Sequence, residues 1–110
     1  MTDKTLSLLG LSRRAGKLTA GFDAAAQAAK DKKAVLLLAA ADISEKTFKN
    51  LKYEGDRAGI QTLRLRTTIE ETGRACGVKA GVFAVEDEGF AKAIRTALNA
   101  WQTDEGGTSL

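Results

Sequence analysis

Apolar positions along the chain switch between a helical and a strand period, and each switch marks a new element. In "TDKTLSLLGLSRRAG", Leu6, Leu9 and neighbouring leucines form a helical stripe, with Thr2 as N-cap and Gly16 as the stop. "LTA" at 18–20 is a short strand candidate, followed by an alanine-rich helix over 22–31. "AVLLLAA" at 34–40 is a continuous apolar run of strand length, expected to be buried on both faces. Behind Ser44 as cap, Phe48, Leu51, Gly55 and Ala58 recur at i, i+3, i+7 and i+10, which predicts an amphipathic helix. "IQTLRL" then reads as a strand, "IEETGRACG" as a short helix and "AGVFAV" as another apolar strand. "GFAKAIRTALNAW" sets Phe90, Ile94, Ala97 and Trp101 along one stripe of a last helix. A single domain is expected over residues 1–101, with 102–110 a polar, mobile tail.

Strands that alternate with helices of these lengths predict an α/β domain. Helices cover both faces of a largely parallel, or mixed, sheet of about four strands. In such sheets ligands gather where loops leave the strand ends and helices begin. Helix starts are therefore the places to search.

Composition narrows the chemistry. At 110 residues and 44% hydrophobic content the chain suits one globular domain. No run of about 18 uncharged apolar residues exists, and the N-terminal arginines follow the leucines rather than preceding them, so a cytoplasmic protein is expected. One cysteine and no histidine exclude an internal disulfide, Cys/His zinc sites and catalysis by Ser-His-Asp or Cys-His. There is no Gly-x-x-x-x-Gly-Lys run, and the acids at 70–71 and 86–88 read as solvated surface rather than a catalytic pair. No enzyme activity, cofactor or metal is expected. The net charge of +3 is uneven: +4 over residues 1–33, +2 over 34–66 and −3 over 67–110. Basic charge gathered in the first two thirds is either a solvated surface or an electrostatic footprint for a polyanion.

Two stretches carry candidate chemistry. At the start of the alanine-rich helix, unpartnered N–H groups and the helix dipole seat anions, and Gly21 permits close approach. Arg13, Arg14 and Lys17 precede this turn and are expected to line its approach, while Lys30, Lys32 and Lys33 lie about two helical turns away. The competing reading is a thin helix packed on the sheet, its lysines favouring its own C-terminus and Asp23 its N-terminus. In "LRLRTTIEETGRACGVK", Arg64 and Arg66 share a strand face or its exit, and Thr67, Thr68 and Ile69 form the next loop. Cys76 falls on the buried face of the short helix, as core rather than nucleophile.

The stretches "LTAGFDAAAQAAKDKKAVLLLAAADIS" and "GRACGVKAGVFAVEDEGFAKAI" resemble the ribosomal-protein family of the L7Ae and L30e type, over nearly the whole chain. The most specific pieces are Gly21 opening the alanine-rich helix, the strand that ends at Asp42, and Gly73 to Val78 before the last strand. The resemblance is to the stand-alone bacterial, ribosome-associated branch. It implies an α/β/α sandwich around a mixed sheet, and a structured-RNA partner, ribosomal or other, of kink-turn type. It also implies a grip by the first turn of the second helix, where Gly-x-Asn-Glu-x-x-Lys reads guanines of sheared G·A pairs, and by the loop before the "GRACG" helix. Carried onto this chain, the contacts are Gly21, Phe22, Asp23 and Gln27 from that turn, Arg66, Thr67 and Thr68 from the loop, and Arg74 beyond it. Arg13, Arg14, Lys17, Lys30 and Lys33 supply flanking charge. Asp23 stands in place of Asn, Ala24 of Glu and Gln27 of Lys, which implies altered specificity, since an ionised Asp cannot donate to guanine. Arg66 replaces an aliphatic residue and adds a phosphate or stacking partner. A protein–protein adaptor on the same scaffold is the second expectation.

Overall fold

The computed structural model of the protein describes residues 4–106, and side chains from residue 4 through 99. Nine elements follow in order: α1 (Lys4–Arg14), β1 (Leu18–Ala20), α2 (Phe22–Lys30), β2 (Leu36–Ala39), α3 (Glu45–Ala58), β3 (Gln61–Arg64), α4 (Ile69–Cys76), β4 (Val82–Val85) and α5 (Glu88–Gly106). The four strands form one sheet in the order β1-β4-β2-β3. Only β2 and β3 pair in parallel; β4 runs antiparallel to both of its neighbours. The expectation of a largely parallel sheet is corrected, and the mixed sheet stands.

The reversal of β4 has a local cause. A helix that returns the chain to its starting edge makes the next strand parallel, but α4 has only eight residues. After it the chain turns at Gly77, in the left-handed region at φ 74°, and doubles back along the helix. A Cβ on Gly73 would sit 3.0 Å from the Val78 carbonyl, and one on Gly81 would press into Ile43 and Ile69. The chain thus regains the end of the sheet where α4 began before it enters β4.

Two cores sandwich the sheet. Leu36, Leu38, Phe83 and Val85 face Leu9, Cys76, Ala91, Ile94 and Leu98 on the side of α1, α4 and α5. Leu37, Ala39, Val82 and Ala84 face Ala25, Ala28, Ala29 and Leu51 on the side of α2 and α3. All four residues of β2 are fully buried, as a strand with both faces covered requires. The alanines let α2 pack closely on the sheet, so the thin-helix reading holds as a statement about packing. In α5 the buried stripe is Ala91, Ile94 and Leu98, one residue round from the predicted one; Phe90 is half-buried and the Trp101 side chain lies outside the described residues. Thr2 and residues 107–110 lie outside them too, and the boundary drawn at residue 101 falls inside α5. No described helix is long and apolar enough to cross a membrane.

Candidate nucleic-acid interface

Because β1, β2 and β3 run in one sense and β4 in the other, the exits of the first three strands and the entry of the fourth meet at one end of the sheet. Backbone hydrogen bonds join them there. Gly21 donates to the Val82 carbonyl and Ala40 to the Gly81 carbonyl, both at 2.8 Å, and Leu65 donates to the Ala39 carbonyl at 2.7 Å. Helices α2, α3 and α4 all begin at this end.

Their starts differ. In α3 the Ser44 hydroxyl accepts from the Thr47 amide at 3.1 Å. At α4, Thr68 and Glu71 form a reciprocal capping box, with Glu71 N–H donating to Thr68 Oγ1 at 3.1 Å and Thr68 N–H to Glu71 Oε1 at 2.9 Å. Asp42 reaches across from the β2–α3 loop to accept from the Ile69 amide at 2.9 Å. The start of α2 has no side-chain cap at all. Gly21 stands there at φ 103° and ψ 147°, with nothing within 4 Å of where a Cβ would be. Asp23 and Ala24 are exposed beside it, and Phe22 is half-buried against the α2–α3 core.

Arg64 fastens the neighbouring loop. Its NH1 donates to the carbonyls of Ala41 (3.1 Å) and Ile43 (3.5 Å), its NH2 lies 3.6 Å from Glu45 Oε2, and its guanidinium stacks 4.4 Å above the Phe48 ring. The Ala41 amide in turn donates to the Thr67 carbonyl at 2.8 Å. With the Asp42–Ile69 bond, these contacts hold the β2–α3 and β3–α4 loops as one body. Arg64 therefore acts as a buttress, while Arg66, two residues on, is exposed.

The structure divides the residues singled out from sequence. Gly21, Phe22, Asp23, Arg66, Thr67 and Thr68 come to this end. Two of those hydroxyls are already engaged: Thr67 is buried with its Oγ1 2.8 Å from that of Thr72, and Thr68 caps α4. Gln27 is exposed in the second turn of α2 and donates to Asp31 Oδ1 at 3.0 Å. Lys17 does not line the approach to Gly21. It sits at the far end of β1, about 13 Å away at the rise of a strand, beside Glu86 at the exit of β4. The α2–β2 turn, with Lys30 and Lys33, is at that far end as well. Arg14 and Arg74 meet in a groove of about 660 Å³ between α1 and α4, floored by Leu6, Gly10 and Ala75. Burial pushes the Cys76 thiol above its ordinary pKa, the nearby Arg13 charge offsetting part of the shift, so the reactive thiolate is disfavoured. Sequence reasoning missed Asp42 and Arg64 as framework, since their partners are 27 and 23 residues distant.

Residues 3–95 match the sequence model of the "Ribosomal protein L7Ae/L30e/S12e/Gadd45 family". An Enterococcus faecium protein named "RNA-binding protein YlxQ" is 34% identical over 95 residues, spanning 86% of this chain and 91% of its own length. A solved protein of unknown function from Bacillus halodurans superposes with a TM-score of 0.84 at 27% identity, covering 89% of this chain and 99% of its own. The "15.5kD RNA binding protein" of Giardia lamblia superposes with a TM-score of 0.72, covering 93% of this chain and 91% of its own; at 16% identity the likeness is one of fold.

Proposed function

The chain belongs to the ribosomal protein L7Ae/L30e/S12e/Gadd45 family, and from that premise we propose that it is a non-enzymatic binder of structured RNA, cytoplasmic and associated with the ribosome or translation. Contact is made at the end of the sheet where α2, α3 and α4 begin. The observation that carries this reading is the open start of α2. Gly21 leaves the first turn uncovered, so a phosphodiester or a base edge reaches the amides of that turn, where the helix dipole favours negative charge. Arg66, exposed at the neighbouring loop, adds a fixed positive charge. The Arg64 buttress holds the β2–α3 loop, and the Ala41–Thr67 and Asp42–Ile69 bonds tie the Arg66 loop to it, so little ordering entropy is lost on binding.

The specificity is altered from that of a kink-turn reader. Asp23 offers only acceptors when ionised, Ala24 offers nothing polar, and the Gln27 amide is turned to Asp31. The test is a titration by gel shift and calorimetry of two RNAs, a kink-turn with tandem sheared G·A pairs and its Watson–Crick counterpart. Wild type is compared with the triple variant Asp23→Asn, Ala24→Glu, Gln27→Lys. Each good base contact is worth roughly 1–3 kcal/mol, so the variant should bind the kink-turn at least about tenfold more tightly and show no gain on the control. Equal affinity of wild type and variant for the kink-turn would show that the α2 start is not where RNA is read.

A further inference from the structure

The solvent ridge of α3 carries a pattern that the family site does not use. Its core side is set by Phe48, Leu51 and Gly55. At 100° per residue, Lys46, Lys49, Tyr53 and Arg57 fall on the opposite side, each within about 40° of its midline. All four are exposed, Tyr53 by 60%. The Arg57 guanidinium lies over the Tyr53 ring, 5.6 Å from its centroid. Where the ridge ends, Arg57 enters a cleft of about 260 Å³ between the last turns of α2 and α3, lined also by Lys30, Lys32, Glu54 and two alanines. Lys32 stands in the turn after α2 with a left-handed backbone at φ 63°.

Among the described residues, none of these five cations has a carboxylate within 4.0 Å. On the flank of the same helix, by contrast, Lys52 is paired with Asp56 at 3.3 Å. Cations at two helix C-termini partly serve the dipoles, but two such ends amount to about one negative charge between them. Lys30, Lys32 and Arg57 exceed that and Glu54 together, and Lys46 and Lys49, near the other end of α3, are not involved. The ridge begins near the sheet end where the loops meet and runs about 17 Å to the cleft.

We propose that this ridge is a second RNA contact, a track for an unpaired strand that leaves the structured element held at the sheet end. The cations follow the phosphates, and the Tyr53–Arg57 pair is the platform on which an unstacked base lies. An aromatic set within a line of free cations is what single-stranded RNA recognition requires, because every base has a face to stack while the backbone supplies the charge. The proposal rests on the RNA-binding reading above, and it is tested on a different probe.

The probe is a fluorescein-labelled oligouridylate of twelve nucleotides, titrated in parallel with a blunt-ended kink-turn RNA. Wild type binds the oligouridylate, with an affinity that falls as salt rises. Replacing Lys46, Lys49 and Arg57 together by Gln reduces the slope of log K against log salt by about 2, at roughly 0.7 per phosphate neutralised on a single strand. Tyr53→Ala weakens binding at least about fivefold, and Tyr53→Phe restores it. Lys52→Gln, the paired neighbour, leaves the oligouridylate affinity unchanged. If wild type ignores the oligouridylate at low salt, or the triple variant binds it with an unaltered slope, the track does not exist. The same holds if the triple variant loses only its hold on phosphatidylserine vesicles. Failure of the Asp23→Asn, Ala24→Glu, Gln27→Lys variant to gain on the kink-turn, with oligouridylate binding intact, strikes the sheet-end reading and leaves the ridge standing. All substituted positions are on the surface, and matched thermal melts confirm that the variants are folded.

Discussion

The starts of α4 and α2 sit at the same end of one sheet and are built to opposite plans. The first turn of α4 is closed by three side chains, Thr68, Glu71 and the distant Asp42. The first turn of α2 opens on a glycine with no Cβ, no capping side chain and empty space in front of it. A helix start satisfied by its own protein has little left to offer an anion, whereas an unsatisfied one keeps both its amides and its dipole available. Side chains that close α4 stabilise the fold, and the bare start of α2 forgoes that stabilisation and leaves its amides accessible.

That contrast is sharpest when the framework is broken. Arg64→Ala removes two charged hydrogen bonds to carbonyls and a stacked guanidinium. Only the 3.1 Å bond to Ala41 is short enough to count in full; at roughly 1.5–3 kcal/mol for it and 0.5–1 for the stacking, the loss should be about 3 kcal/mol by urea denaturation. The Glu45 contact adds little, being largely exposed. Arg64→Lys should recover only a minor part, because an ammonium lacks the planar fork that spans two carbonyls and lies flat on Phe48. A melt of Arg64→Ala indistinguishable from wild type would mean that the two loops are held by the Ala41–Thr67 and Asp42–Ile69 bonds without it.

The open start responds differently. At φ 103° and ψ 147° only glycine is comfortable, so Gly21→Ala should cost about 2 kcal/mol although its Cβ meets no atom. The cost is purely one of backbone conformation, and larger side chains at the same position should cost little more. A steep dependence on side-chain size would show a hidden contact. Asp42→Ala should be milder, about 1 kcal/mol, the usual worth of a cap, with faster amide exchange at Ile69 as its local signature. Asp42→Asn keeps an acceptor oxygen and should restore most of the protection.

These two starts were not equally legible in the sequence. Gly21 before an alanine run announces an open helix start, because both the conformational freedom and the absence of caps are local properties. The capping box at Thr68 is open to view in the same way, as Thr followed three residues later by Glu, whereas the family resemblance implies Thr67 and Thr68 as contacts. Their hydroxyls are in fact occupied by Thr72 and by the α4 amides. The Asp42–Ile69 and Arg64–Ala41 bonds could not be read, since they join segments brought together only by the β2–β3 pairing. The same limit applies to β4: an apolar run with both faces buried has no alternation to betray its direction, and the reversal is decided by the short return along α4. Lys17 was set beside Gly21 by proximity in sequence, but an extended strand carries residues apart faster than any other element.

The smallest effect expected is also the most discriminating. Asp23 stands in the first turn of α2, exposed, where a negative charge complements the helix dipole. Asp23→Asn should therefore lower stability by about 0.5 kcal/mol, and the loss should shrink as salt screens the charge. For RNA the sign reverses. The carboxylate repels any phosphate seated on the same turn, and its removal relieves that repulsion while adding a donor for a base edge. The single substitution should thus weaken the fold and tighten the complex, with affinity for structured RNA rising a few-fold at low salt. The two quantities are measured independently, by thermal melting of the free protein and by titration of the RNA. A capping role alone predicts that stability falls and affinity stays put. A role in an RNA seat predicts that they move in opposite directions, and only the second outcome is compatible with α2 being open for a ligand.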